Sequence, residues 1–158
     1  MGITNQLGEI GEAMVLADLQ RKGYGVAIPF GHDLPFDLIL IRKDTGELER
    51  VQWKYTKSDG RVVDVRCNSC SAWVQHTYGA DEVDWIATFD ATTSRCYYVH
   101  SSVWAGMVRL RLRLVPTANG QQLGIRSADE FLHPELDGHQ PPPGRDGLLA
   151  MLVDPLPE

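Results

Sequence analysis

Glu12, Asp37, Gln52 and Lys54 are the residues whose types and spacing suit metal-assisted chemistry. Asp37 follows Leu34-Pro35-Phe36 and opens the apolar run Leu38-Ile39-Leu40-Ile41, which reads as a strand. Gln52 and Lys54 stand two apart on a second expected strand, Glu49 to Thr56, so their side chains leave one face. Trp53, between them, points the other way, and its backbone carbonyl remains a further possible oxygen ligand. The two strands follow one another across a short turn, Lys43-Asp44-Thr45-Gly46, and read as antiparallel neighbours. Their polar residues then converge where a hard cation finds oxygen ligands. The chemistry this predicts is Mg²⁺-dependent hydrolysis of a phosphodiester, with Mn²⁺ able to substitute. Asp37 binds the ion, Gln52 contributes its amide oxygen, and Glu12 acts directly or through water. Lys54 orients the attacking water or offsets charge on the transition state.

Each of these residues has an ordinary reading when taken alone. A carboxylate at the start of a strand is usually only solvated, and a polar alternation such as Gln52-x-Lys54 is common on edge strands. Glu12 falls between Leu16 and Leu19 on a helical wheel, on an apolar face where an unpaired carboxylate is costly. The alternative is that Glu12 is an early-helix acid satisfied by the helix dipole. Glu9, one turn earlier, lies beside that stripe and is the weaker candidate.

The elements that must position these residues are legible in outline. Residues 4–22 read as a helix with two apolar stripes, one of Ile10, Met14 and Ala17, the other of Val15, Leu16 and Leu19, stopped by Gly23. Short strands are expected at Tyr24–Ile28 and Phe36–Arg42, with a loop between them. Ser58-Asp59-Gly60 is a tight turn leading from the Glu49–Thr56 strand into another at Arg61–Arg66. Cys67 to Ala80 is weakly patterned and reads as part helix, part loop. Val83–Phe89 and Arg95–His100 read as strands, and Met107 to Val115 alternates with the period of a half-buried strand. Ser127 and Glu130 have the spacing of a capping box on a short helix. The fold class is therefore α/β, a mixed central sheet with flanking helices.

The chain of 158 residues is the length of one domain. Residues 1–132 form that expected domain, and 133–158 an acidic, proline-rich extension around Pro141-Pro142-Pro143. No apolar run approaches the ~20 residues that span a bilayer, and the start of the chain does not resemble a signal peptide. The expectation is a cytoplasmic protein with no membrane association. The net charge of −6 is unpromising for a DNA-binding protein until it is mapped. Residues 127–158 hold seven acidic side chains and one basic one, against fourteen of each in 1–126. Local clusters must then decide. Lys57, Arg61 and Arg66 follow Lys54, and Arg109, Arg111 and Arg113 line one face of the alternating strand. Phosphate contacts and a charged, solvated sheet face are both consistent with that pattern.

Cys67-x-x-Cys70 with His76 and Cys96 raises the question of zinc. No second CxxC or His pair follows at finger spacing, so free thiols are expected instead.

In order and spacing, Gly8-Glu9-Ile10-Gly11-Glu12, Leu34-Pro35-Phe36-Asp37, Val51-Gln52-Trp53-Lys54, Tyr78 followed by Val83-Asp84-Trp85-Ile86-Ala87, and Tyr97-Tyr98-Val99 form one pattern. The chain, from about Gly8 to Phe131, resembles the group I intron-associated PD-(D/E)XK endonucleases, homing-type enzymes related in core fold to Holliday junction resolvases. The resemblance implies a restriction-endonuclease-like PD-(D/E)XK core and a Mg²⁺-dependent endonuclease acting on double-stranded DNA. It puts Glu12, Asp37, Gln52 and Lys54 in the catalytic places and implies a homo-oligomer, dimer or tetramer. Glutamine at 52, where most of the superfamily has Asp or Glu, looks like this subgroup's variant. Tyr78 and Asp84 fall in the part that the resemblance links to DNA docking and assembly. The acidic tail has no counterpart in the family pattern, and His100 stands where a proline is expected. Three other functions share the core: junction resolvase, repair nuclease and restriction enzyme. A catalytically weak DNA-binding module is the reading from another class, kept open by Gln52.

Overall fold

The computed structural model describes residues 2–71, 74–136, 142 and 144. The first helix, α1, runs Ile3–Arg21 and ends on Gly23, whose φ of +91° is a conformation open to glycine at little cost. Gly23 N–H donates to Gln20 O and Tyr24 N–H to Leu19 O, the paired bonds of a Schellman cap. Tyr24 and Leu19 are buried in the same cluster, which supplies the apolar contact that accompanies such a cap.

A five-stranded sheet follows, in the order β1 (Gly25–Ala27), β2 (Leu38–Ile41), β3 (Leu48–Thr56), β7 (Trp85–Asp90), β8 (Arg95–His100). It is mixed: β3 and β7 are parallel, and the other neighbours antiparallel. All six residues of β7 are buried, as expected of a strand covered on both faces. One face packs against α1 through Val15, Leu19, Leu38, Leu40, Val51, Ala87 and Tyr98. The other is covered by a two-stranded ribbon of β4 (Val62–Arg66) and β9 (Arg109–Arg113), with the one-turn helix α2 (Ser101–Trp104) and a 3₁₀ turn at Ala128–Phe131. Val63, Val65, Leu110 and Leu112 face inward from the ribbon and meet Ile86, Tyr97 and Val99. The expected α/β class with a mixed sheet and a flanking helix is the observed one.

Two expectations are corrected. Part of Cys67–Ala80 is neither helix nor plain loop: β5 (Asn68–Ser71) and β6 (Val74–Thr77) form an antiparallel hairpin. Every residue of β6 is exposed, so no buried face writes an alternation into the sequence. The Ser127–Glu130 spacing does not make a capping box either. Ser127 gives no side-chain cap, and Glu130 N–H donates to the Ser127 carbonyl at 3.3 Å.

Residues 133–136, expected from the sequence to begin a C-terminal extension, are irregular and bond to the core. The Glu135 carboxylate accepts from Tyr24 Oη and from Arg42 Nη1 at 2.8 Å, and Arg42 Nε is paired with Glu49 at 2.6 Å. Asp90, 0% exposed, anchors the turn after β3 by accepting from Ser58 N at 2.7 Å, Ser58 Oγ at 2.8 Å and Thr93 Oγ1 at 2.8 Å. Asp84 ties the start of β7 to β3, accepting from Arg50 N at 2.7 Å and from its guanidinium at 2.9 Å.

Candidate active site

The pairing of β2 with β3 runs from Ile41↔Leu48 to Leu38↔Val51 and stops there. Asp37, the next residue, donates its N–H to Val51 O at 2.9 Å and then leaves the strand. Beyond Val51, β3 has no paired strand on that side among the described residues, and the Asp37 carboxylate bonds there instead. It accepts from the backbone N–H of Trp53 at 3.3 Å and from the Gln52 side-chain amide. Gln52 Nε2 also lies 3.4 Å from the Trp53 carbonyl oxygen, so amide, carboxylate and carbonyl share one small region.

Period-2 geometry sorts the rest. Val51 faces the α1 side in the buried cluster there, with Trp53 and Tyr55 packed against it, and Gln52 and Lys54 leave the opposite face. Trp53 explains the glycines of α1. A Cβ at Gly8 would lie 3.2 Å from Trp53 Cη2, and one at Gly11 would lie 3.2 and 3.3 Å from two other ring carbons. Those glycines let α1 approach β3 closely, and Glu12, on the same helix, is half-buried and acts electrostatically on Asp37.

Burial holds the Asp37 carboxyl above the usual aspartate range, and the negative charge of Glu12 pushes the same way. The Trp53 N–H and the Lys54 ammonium oppose them without cancelling them. Glu12, Gln52 and Lys54, as far as 25 positions from Asp37 in the chain, therefore each act on its carboxylate in space.

The groups gathered here, two carboxylates and a backbone carbonyl with no thiolate or imidazole, are of the kind a hard divalent cation takes, while Gln52 turns its amide nitrogen toward Asp37 and the Trp53 carbonyl. A cation beside Asp37 would relieve the cost of crowding a second negative charge against a half-buried one. Among the described residues no group of three or more His, Cys, Asp or Glu side chains is arranged to hold a metal ion. Cys67 and Cys96 are free, buried thiols in two different clusters, and the Cys70 side chain lies outside the described residues.

The basic residues divide into two groups. Lys57 and Arg61 are exposed on either side of the Ser58–Gly60 turn. Arg66, Arg109, Arg111 and Arg113 lie on the outer face of the β4–β9 ribbon, alternating with its buried apolar positions. Asp64 shares that face, 3.4 Å from Arg111 and 4.0 Å from Arg109, and offsets part of its charge. None of these six contacts Asp37 or Lys54 through a hydrogen bond or ion pair among the described residues. His32 and Asp33 are exposed in the loop before Asp37.

Sequence reasoning linked Tyr78 to the docking and assembly part of the family pattern and did not place it beside Lys54. It is 4% exposed, immediately after β6, and its hydroxyl accepts from Lys54 Nζ at 3.0 Å. Twenty-four residues separate the two, and no spacing rule joins them.

The family model described as PD-(D/E)XK endonuclease matches residues 3–134. Among solved structures, the chain is similar to a bacterial homing endonuclease, I-Ssp6803I, with a TM-score of 0.60 and 23% identity over 82% of this chain and 88% of that one. At that identity the likeness speaks to the fold. No curated protein matches the sequence.

Proposed function

The chain belongs to the PD-(D/E)XK endonucleases, and we propose that it is a Mg²⁺-dependent DNA endonuclease of homing type whose site is Glu12, Asp37, Gln52 and Lys54. The observation that carries this reading is the Asp37 carboxylate in the gap at the end of β2. It is hydrogen-bonded to Gln52 and Trp53 N–H and lies within the electrostatic reach of Glu12 and Lys54.

Asp37 and Glu12 would supply the negative charge that draws a divalent ion and the Trp53 carbonyl a neutral oxygen, and the Gln52 amide, whose Nε2 faces Asp37 here, would turn over to offer its oxygen. When bound, Mg²⁺ or Mn²⁺ lowers the pKa of a water and offsets charge developing on the phosphate. The Trp53 N–H fixes the Asp37 carboxylate against rotation. Lys54 presents a positive charge from the same face of β3 and stabilises the phosphorane-like charge or holds the attacking water. The α1 backbone, drawn onto Trp53 by Gly8 and Gly11, keeps Glu12 in range.

The substrate in this reading is double-stranded DNA, with Lys57, Arg61, Arg66, Arg109, Arg111 and Arg113 as the phosphate contacts. Net charge along the ribbon face stays positive, since Asp64 is one acid among four arginines. One such site cuts one strand, which is why a homo-oligomer, dimer or tetramer, belongs to this reading. So does a cytoplasmic location, and no helix among the described residues is long and apolar enough to cross a membrane.

One observation favours a second reading. Gln52 leaves the site one carboxylate short, which weakens its hold on a cation and suits a catalytically weak DNA-binding module. Incubation of the protein with a supercoiled plasmid pool carrying random inserts separates the two. Nicked or linear products with Mg²⁺ or Mn²⁺, absent with EDTA, are expected. DNA retention without cleavage under any metal would favour the binding module. Cleavage confined to four-way junctions would move the assignment to a resolvase on the same core.

A further inference from the structure

Among the described residues Lys54 is the cation that acts on Asp37, and a lysine side chain is a flexible stem that loses much rotamer freedom when its ammonium must stay in one place. What holds it here is the residue directly after the β5–β6 hairpin. Tyr78 is buried in the cluster beneath the β4–β9 ribbon, and its backbone N–H reaches the Cys67 carbonyl at 3.4 Å, closing the base of the hairpin. Its hydroxyl oxygen accepts from Lys54 Nζ at 3.0 Å, and that nitrogen lies 5.0 Å from the ring centroid. His76 packs edge-on to the same ring at 5.8 Å, and His76 is in turn paired with Glu82. The ring is thus fixed on several sides while its one polar atom faces the lysine.

We propose that Tyr78 is a positioning residue for cleavage, holding the Lys54 ammonium toward Asp37 through its hydroxyl and coupling the hairpin's seating to the site. The proposal rests on the nuclease reading above and adds a residue to it. Tyr78 itself touches no substrate in this account. A ring without the hydroxyl fills the same space, so Tyr78→Phe separates packing from the hydrogen bond.

The test has two arms. First, single-turnover cleavage of a duplex recovered from the random-insert pool is compared for wild type and Tyr78→Phe at saturating protein, with DNA affinity measured separately in Ca²⁺. A hydrogen bond to a charged group makes a rate loss of about tenfold or more the expectation, with affinity unchanged within about twofold. Second, the chain has four lysines, Lys22, Lys43, Lys54 and Lys57, so ¹³C-lysine NMR resolves the εCH₂ of each, with Lys54 assigned by its loss in Lys54→Ala. In wild type Lys54 should be motionally restricted beside the freely averaging Lys43 and Lys57, and Tyr78→Phe should release it.

Wild-type cleavage by Tyr78→Phe overturns the proposal and leaves the nuclease reading intact. A rate loss matched by an equal loss of affinity also overturns it, making Tyr78 a DNA contact. If wild type cleaves nothing, the nuclease reading fails, and the NMR arm still decides whether Tyr78 restrains Lys54. A Lys54 signal as restricted in Tyr78→Phe as in wild type overturns the proposal there too.

Discussion

Gly11→Ala is the substitution that sets two opposing magnitudes against each other. In a free helix, replacing an interior glycine by alanine stabilises by about 1 kcal/mol. Gly11 is not free. Its new Cβ would stand 3.2 and 3.3 Å from two Trp53 ring carbons and 3.3 Å from Tyr55 Cβ, where carbon atoms at ease sit ~3.5–4.0 Å apart. Trp53 and Tyr55 belong to the packed α1 face of β3, so neither can simply swing away. Overpacking of that kind costs about 1–3 kcal/mol, and the net effect is a loss of ~0–2 kcal/mol. At about 2–4 °C per kcal/mol for a chain of this size, the melting temperature falls by up to ~8 °C. Gly8→Ala is the internal control, because its Cβ meets a single atom at the tip of the Trp53 ring. Urea denaturation should place Gly11→Ala below Gly8→Ala. Cleavage should fall as well, since a displaced Trp53 carries Gln52, Lys54 and the Asp37 partner N–H with it. A misplacement of ~1 Å can cost on the order of 100-fold in rate, so a shift of about 0.3 Å should lower it by roughly fourfold. A Gly11→Ala protein that is ~1 kcal/mol more stable than wild type and cleaves normally would refute this account of the helix–strand contact.

Other substitutions test separate parts of the structure. An aspartate whose pKa is raised by folding binds its proton more tightly folded than unfolded, so its charge costs stability above the usual carboxylate range and costs nothing below it. Without metal, Asp37→Asn should therefore raise the urea midpoint at neutral pH, with the gain vanishing as the pH drops below ~4; a lower midpoint at neutral pH contradicts the strained-carboxylate picture. Asp90→Ala removes the acceptor for Ser58 and Thr93 and should cost ~3 kcal/mol by chemical denaturation. A loss under ~1 kcal/mol would show that the turn holds without it. Replacing Arg109 and Arg111 by Ala should lower the slope of log affinity against log salt by up to ~2 if both contact phosphate. An unchanged slope returns the ribbon face to plain solvation.

The local parts of this fold were readable because each writes its own period. The alternation from Met107 to Val115 became β9 with Leu110 and Leu112 inward, and the Asp37 and Gln52–Lys54 strands paired antiparallel as their short connection implied. Where two answers share one pattern, the sequence was mute. Both stripes of the first helix are apolar, but Val15 and Leu19 are buried while Ile10 is 49% and Met14 37% exposed. The β5–β6 hairpin left no signal because nothing in β6 is buried. The parallel pairing of β3 with β7 joins residues more than thirty positions apart, and no turn announces it. Within the site, the glycines at 8 and 11 did carry a sign. Two glycines three apart inside a helix cost stability unless something must come close, and here that is Trp53. Tyr78 stood in the family pattern but gave no sign of Lys54, since their partnership exists only in the folded chain.

The most direct test compares wild type, Asp37→Asn and Lys54→Ala in metal-dependent plasmid cleavage, with DNA binding in Ca²⁺ measured on the same preparations. The account predicts cleavage by wild type that needs Mg²⁺ or Mn²⁺, no cleavage by either variant, and DNA binding retained by both. Wild-type cleavage rates in Asp37→Asn or Lys54→Ala would contradict it, because the residues gathered at the end of β2 would then not be the ones that cut.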